Sequence, residues 1–311
     1  MKMEIKSDLL KKMLSNAFGF NIAQSNLLEA PSSKDESESK NDLAVVDEEL
    51  KYRAGKRLLA EEINKQKNLE DVVQRADDIL QAEPESKISQ DETDQGWIDE
   101  CLDGAGKTYN DNLKDYWAKL LAGEIKKPGT YSKRAVSFMK TLSQKDAEKI
   151  REMCQYVMYS LDKSDAFILR YKNGPYTYSD LSFLMELRLI NSSSFVVKQF
   201  RFNDENGGAA LYMHGDIGFY LELSQKDYDL PIYSFTELGK EILSVIDDLN
   251  ANFDYLKDYS NSIYEKNKKL KITCGHIINH EDTYRFIIDD MYFHLPTDED
   301  NIANDASYEN K

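Results

Sequence analysis

The apolar positions follow two patterns. From about residue 48 to residue 161 they recur at three- and four-residue intervals, the period of helices buried on one face. Beyond that, short apolar runs alternate with turn-forming clusters, as strands do. Residues 1–22, with Ile5, Leu9, Leu10, Met13, Leu14, Phe18 and Phe20, predict a short amphipathic helix, and its mixed polar face favours packing over membrane insertion. Residues 23–46 are polar, acidic and Ser-rich and predict a flexible linker. Glu48 to Gln81 then predicts one long helix. Its second half carries the stripe Leu69, Val72, Val73, Ala76, Ile79 and Leu80, and its first half a thinner one of Leu58, Leu59 and Ile63 among charges. A thin stripe in dense mixed charge suits helix pairing. Homo-oligomerisation through this helix and packing on the next elements both remain open.

Those next elements predict a helical hairpin. Leu113, Trp117, Leu120, Leu121 and Ile125 form one stripe, with Ala118 and Ala122 small enough for close approach. Pro128-Gly129 ends the helix, and Ser132 can cap a second one with Val136, Met139 and Leu142 inward. Glu124 borders the buried stripe. A carboxylate there wants a cation, and Lys133 or Arg134 past the turn could supply it, fixing the hairpin.

Downstream, a helix from Ala147 through Val157 to Leu161 is expected. It is followed by a short strand at 166–171, a helix at 178–189, a β-hairpin of 195–202 with 209–213 turning at Asn203–Gly208, a strand at 219–223, and a helix at 240–249. That order resembles a winged helix. Its second helix offers Asp180 and Glu186 against Arg188, and the wing tip Asp204 and Glu205, charges that oppose phosphate contact. A structural or protein-binding version is therefore favoured over a DNA-binding one. A helix at 252–270 and a small closing β-hairpin at 270–295 precede an acidic tail. The fold class expected is mainly α with an α+β C-terminal half: a long helix plus helical hairpin, a winged-helix-like unit and a small β-hairpin. The segments are 1–22, 23–46, 47–142, 143–250, 251–296 and 297–311.

Composition narrows the function. The chain has 311 residues and a formal net charge of −16, which disfavours nucleic acid and anionic membrane surfaces as partners. No apolar run approaches the ~18 residues a membrane span needs, and a signal core is missing. Three dispersed cysteines, Cys101, Cys154 and Cys274, point to free thiols in a cytoplasmic protein. Asp103-Gly104-Ala105-Gly106-Lys107-Thr108 ends like a P-loop, but Cys101 stands where its first Gly belongs and the approach is helical. Cys274, His276, His280 and His294 gather three of four histidines near one hairpin. No Cys-x-x-Cys or His-Glu-x-x-His spacing supports a metal site, so ordinary strand histidines and a buried thiol are preferred. No nucleophile elbow occurs. Catalytic, cofactor and metal residues are accordingly expected to be none.

The run Trp117-Ala-Lys-Leu-Leu-Ala-Gly-Glu-Ile125, then Pro128-Gly129, then Ser132-Lys-Arg134, resembles the core motif of the bacterial domain-of-unknown-function family 2806. Arg57–Ala76, Gly96–Asn112 and Leu142–Ala147 resemble its flanking segments, so the likeness covers roughly residues 50 to 250. Trp117–Ala122 also has a weaker similarity to abortive-infection proteins of the alpha type. The family implies a fold and no reaction. The expectation is a non-enzymatic bacterial interaction or scaffold protein, homo-oligomeric or bound to a protein partner, with phage defence as the process the weaker similarity points to. Its interaction residues are expected to include Leu69, Val73, Ala76, Trp117, Leu121, Glu124 and Arg134. The alternative is a winged-helix nucleic-acid regulator.

Overall fold

Helix ends in the first half of the chain are set by polar side chains placed where backbone N–H groups lack partners. In the computed structural model, Asp94 accepts from Trp97 N at 2.7 Å, Asn110 from Leu113 N at 3.1 Å and Ser132 from Ala135 N at 3.3 Å. These caps open α2 (Gln95–Gly106), α3 (Asp111–Lys126) and α4 (Lys133–Thr141). Before them runs α1 (Asp42–Gln81), 40 residues long. It begins six residues ahead of the expected Glu48, within the stretch expected to be linker. The structure describes residues 42–82, 84, 88–89, 91–192, 196–202, 207–246, 251–264, 270–280, 283–287 and 293–295. The expected N-terminal helix, most of the linker and the acidic tail lie outside them.

The chain divides into two compact units, residues 1–144 and 145–311. In the first, α1 packs on α2 and α3, and α2 on α3 and α4. The core joins Leu69, Val73, Ala76 and Leu80 of α1 to Trp97, Ile98 and Cys101 of α2, Trp117, Leu121 and Ile125 of α3, and Val136 and Met139 of α4. The Trp117 ring packs against Gly104, where an added Cβ would come within 2.5 Å of the indole, so only glycine fits that helix crossing.

The second unit holds α5 (Gln144–Cys154), β1 (Val157–Ser160), β2 (Ala166–Leu169), α6 (Tyr178–Glu186), β3 (Val197–Arg201), β4 (Gly208–His214), β5 (Ile217–Leu223), β6 (Asp227–Ser234), α7 (Glu237–Ile246), α8 (Phe253–Tyr264), β7 (Leu270–His280), β8 (Thr283–Ile287) and β9 (Phe293–Leu295). The described strands form one nine-stranded sheet in the order β3-β6-β2-β1-β4-β5-β7-β8, with β9 also on β7. Every pairing is antiparallel. One apolar cluster joins Phe167, Phe219, Leu221, Ile232 and Ile272 of the strands to Tyr255, Leu256, Tyr259 and Ile263 of α8.

This sheet corrects the expected architecture. There is no winged-helix unit followed by a small separate hairpin, because β7 pairs with β5 along seven residues and carries the closing strands into the same sheet. The expected pairing of 195–202 with 209–213 is also wrong. β3 pairs with β6, and β4 with β5 through the two-residue turn Gly215-Asp216, where Gly215 takes φ +61°. Two further elements differ. The helix expected to reach Leu161 stops at Cys154, and Val157–Ser160 is a strand in a run rich in aromatic and branched residues. Strand β6 was not foreseen. Turn residues mark where the chain reverses, and the partner of each strand depends on distant sequence.

Candidate interaction surfaces

The two halves of α1 meet different surroundings. Leu69, Val72, Val73, Ala76 and Leu80 are buried. Upstream, Leu50 is 56% exposed, Tyr52 65%, Leu58 54%, Leu59 63% and Ile63 46%. At ~100° per residue, Leu50, Ala54 and Leu58 form one stripe and Tyr52, Leu59 and Ile63 another. Two contacts in this half are made within the helix: Arg57 Nη1 meets Glu61 Oε1 at 2.8 Å, and Lys56 Nζ lies 5.0 Å from the Tyr52 ring centre.

The buried half is tied to α3 by charge as well as packing. Arg75 Nε and Nη2 hold Asp71 at 2.9 and 3.1 Å, Arg75 Nη1 meets Asp115 Oδ1 at 2.6 Å, and Lys114 Nζ donates to Asp71 Oδ2 at 2.9 Å. Burial pushes the Asp71 carboxyl up, and hydrogen bonds from Arg75 and Lys114 outweigh it, leaving Asp71 below its ordinary value. The hydrogen bonds that Arg75 donates to Asp71 raise Arg75 in turn.

In the α3–α4 hairpin, Trp117 and Leu121 are core residues, as is Glu124 at 3% exposure. Neither Lys133 nor Arg134 pairs with Glu124, contrary to expectation. Gly129, at φ +85°, turns the chain so that its own N–H donates to Glu124 Oε1 at 2.7 Å, and Tyr131 N–H donates to Oε2 at 2.9 Å. Backbone donors already in the turn satisfy the carboxylate without ordering a long side chain. Lys133 lies 3.2 Å from Asp94, and Arg134 is exposed. Of the seven expected interaction residues, six are thus internal to the first unit, and Arg134 alone is on its surface.

The candidate metal residues fall on β7 and β9. Cys274 is buried opposite Phe219, and burial pushes its thiol up to about 12. His276 stands opposite Ile217, its Nδ1 3.7 Å from Asp216. His294 pairs with Thr273 and His280 with Thr283, four residues further along β7 than His276. Among the described residues, no group of three or more His, Cys, Asp or Glu could hold a metal ion. The P-loop-like segment closes α2, with Lys107 as its C-cap, so it is a helix-to-helix turn.

Sequence reasoning missed the fourth histidine. His214, 1% exposed, has Nδ1 2.8 Å from Val157 O and accepts at Nε2 from Asn252 N at 2.8 Å. A neutral ring with its proton on Nδ1 satisfies both contacts and ties β4 to β1 and to the start of α8. Close by, Tyr255 Oη accepts from Leu169 N at 2.9 Å, and Tyr176 donates to Leu169 O. These tyrosines brace a strand end, and burial raises both. No local signal marks His214, since a lone histidine before Gly-Asp has no spacing to read.

No helix among the described residues is long and apolar enough to cross a membrane. A family model described as protein of unknown function (DUF2806) matches residues 52–260. No curated protein and no solved structure matches the chain.

Proposed function

The chain belongs to the DUF2806 family, and from that premise we propose that it is a non-enzymatic bacterial cytosolic interaction protein whose outer α1 half pairs with the same helix of a second copy. The exposed stripe Tyr52, Leu59 and Ile63 carries this reading. Three large apolar side chains on one side of the helix, upstream of a half whose stripe is largely buried, have no facing element among the described residues and form a face that association would cover.

Charge order favours a second copy. Glu48 and Glu49 are followed by Lys51, Arg53, Lys56 and Arg57. An antiparallel pair centred between Tyr52 and Arg53 places Glu49 against Lys56 of the other helix, and both residues flank the stripe of Tyr52, Leu59 and Ile63. A parallel pair would align like charges. Phage defence is the process this reading carries, on the resemblance of Trp117–Ala122 to abortive-infection proteins. Sedimentation equilibrium of the full chain and of Y52D/L59D tests the assembly. A wild-type dimer that dissociates in the variant, with helicity by circular dichroism kept, is the expected result. A wild-type monomer at tens of micromolar, or a dimer that survives both substitutions, overturns it.

A further inference from the structure

The acidic balance of the chain hides a basic stretch. Between Tyr116 and Gln144 stand six cations, Lys119, Lys126, Lys127, Lys133, Arg134 and Lys140, and one carboxylate, Glu124, in a chain of net charge −16. Glu124 is buried and bonded to two backbone N–H groups, so it neutralises nothing at the surface. The exposed side of α4 consists of Lys133, Arg134, Ser137, Lys140 and Thr141, with no acidic residue on the helix. At its far end Asp103 is shared by three ammonium groups: Lys107 at 2.8 Å, Lys65 at 3.3 Å and Lys140 at 3.7 Å. Across Lys127, Lys133, Arg134, Lys140, Lys107 and Lys65, the paired carboxylates are Asp94 and Asp103, leaving an excess of four positive charges. Lys127 and Arg134 have no carboxylate partner among the described residues.

We infer that this stripe along α4 docks the phosphate backbone of nucleic acid. Four observations favour that partner over an acidic protein. No large apolar side chain is exposed on α3, α4 or the turn between them, whereas a protein partner would need an apolar centre. The exposed hydroxyl of Ser137 stands among the cations as a phosphate-bonding donor, while those of Thr130 and Thr141 donate to Lys127 O and Phe138 O. Lys133 and Lys140 are seven residues apart, ~10 Å along the helix, about three phosphates of one duplex strand. Next to Lys107, Tyr109 is 69% exposed and offers a ring on which a base can stack. The negative charge elsewhere confines binding to this face and makes it salt-sensitive. The inference is independent of pairing through α1.

Fluorescence anisotropy of the full chain with labelled single-stranded DNA, duplex DNA and RNA tests it, across a salt titration. K127E/R134E alters two cations without carboxylate partners, so the fold is expected to persist, as checked by circular dichroism. Wild type should bind at low salt. The variant should bind at least tenfold more weakly, with a salt slope shallower by about 2, and K127R/R134K should bind as wild type. The inference is overturned if no nucleic acid binds at low salt, or if K127E/R134E binds like wild type. It is also overturned if polyglutamate competes as well as unlabelled nucleic acid, which would assign the stripe to an acidic protein.

Discussion

Leu69 and Leu58 lie on one continuous helix, 4% and 54% exposed respectively. The inner half of α1 faces α2 and α3, and its apolar stripe is matched by theirs. The outer half has the same residue types and no facing element among the described residues. An isolated segment of this length is marginal in water. Its helicity is supported by continuity with the anchored half and by pairs such as Arg57–Glu61. The contrast shows that an amphipathic pattern specifies a need for a partner, while the rest of the molecule decides whether that partner is internal.

Truncation of one leucine in each half breaks or upholds this contrast most strongly. Leu69→Ala should destabilise the first unit by about 2–5 kcal/mol, since it removes methyl groups from a packed core and leaves a cavity. Leu58→Ala should change the stability of dilute protein by less than about 0.5 kcal/mol. Urea unfolding followed by tryptophan fluorescence measures both, because Trp97 and Trp117 are both buried in this unit. Equal losses would mean that Leu58 is packed in the monomer, and the distinction between the halves would fall.

Acid gives the next largest effect. Asp71 titrates below its usual 3.8, as does Asp103, which Lys107 holds down most strongly. A carboxyl lowered by folding contributes stability that is complete above the unfolded value, near 4, and is lost as pH falls through the folded value. The first unit should therefore weaken progressively below about pH 4. Asp71→Asn should flatten part of that dependence while lowering stability at pH 7. Denaturation midpoints at pH 3, 4 and 7 test this. An unchanged pH profile in the variant would remove Asp71 from the account of how α1 is held.

Local pattern carried much of the first unit and little of the second. The stripe Trp117–Leu121–Ile125, the Ser132 cap and the Pro128-Gly129 stop are short-range features, and each has the expected place. Glu124, expected beside the buried stripe, is itself buried, and its partners are backbone N–H groups of a turn made by a positive-φ glycine, which residue charge cannot announce. In the second unit, strands such as 219–223 and 270–278 were visible as segments. Their union in one sheet was not, because β3 with β6 and β5 with β7 are contacts between distant parts of the sequence. The basic surface of α4 was obscured by averaging charge over the whole chain. Counting it hairpin by hairpin would have exposed it.

The smallest effect sharpens the comparison furthest. Arg57 and Glu61 are 65% and 55% exposed, so their ion pair contributes at most about 0.5 kcal/mol to a monomer. Arg57→Ala should leave the unfolding curve of dilute protein almost unchanged. In the antiparallel pair proposed for α1, Arg57 faces away from the second copy while Lys56 meets its Glu49, and two such contacts form per dimer. Arg57→Ala should therefore leave the dimer dissociation constant unchanged as well, and Lys56→Ala should raise it several-fold, with the difference shrinking as salt screens the pairs. Equilibrium sedimentation of wild type and the two variants at low and high salt separates these effects. A dissociation constant unaffected by Lys56→Ala at either salt would exclude this antiparallel register.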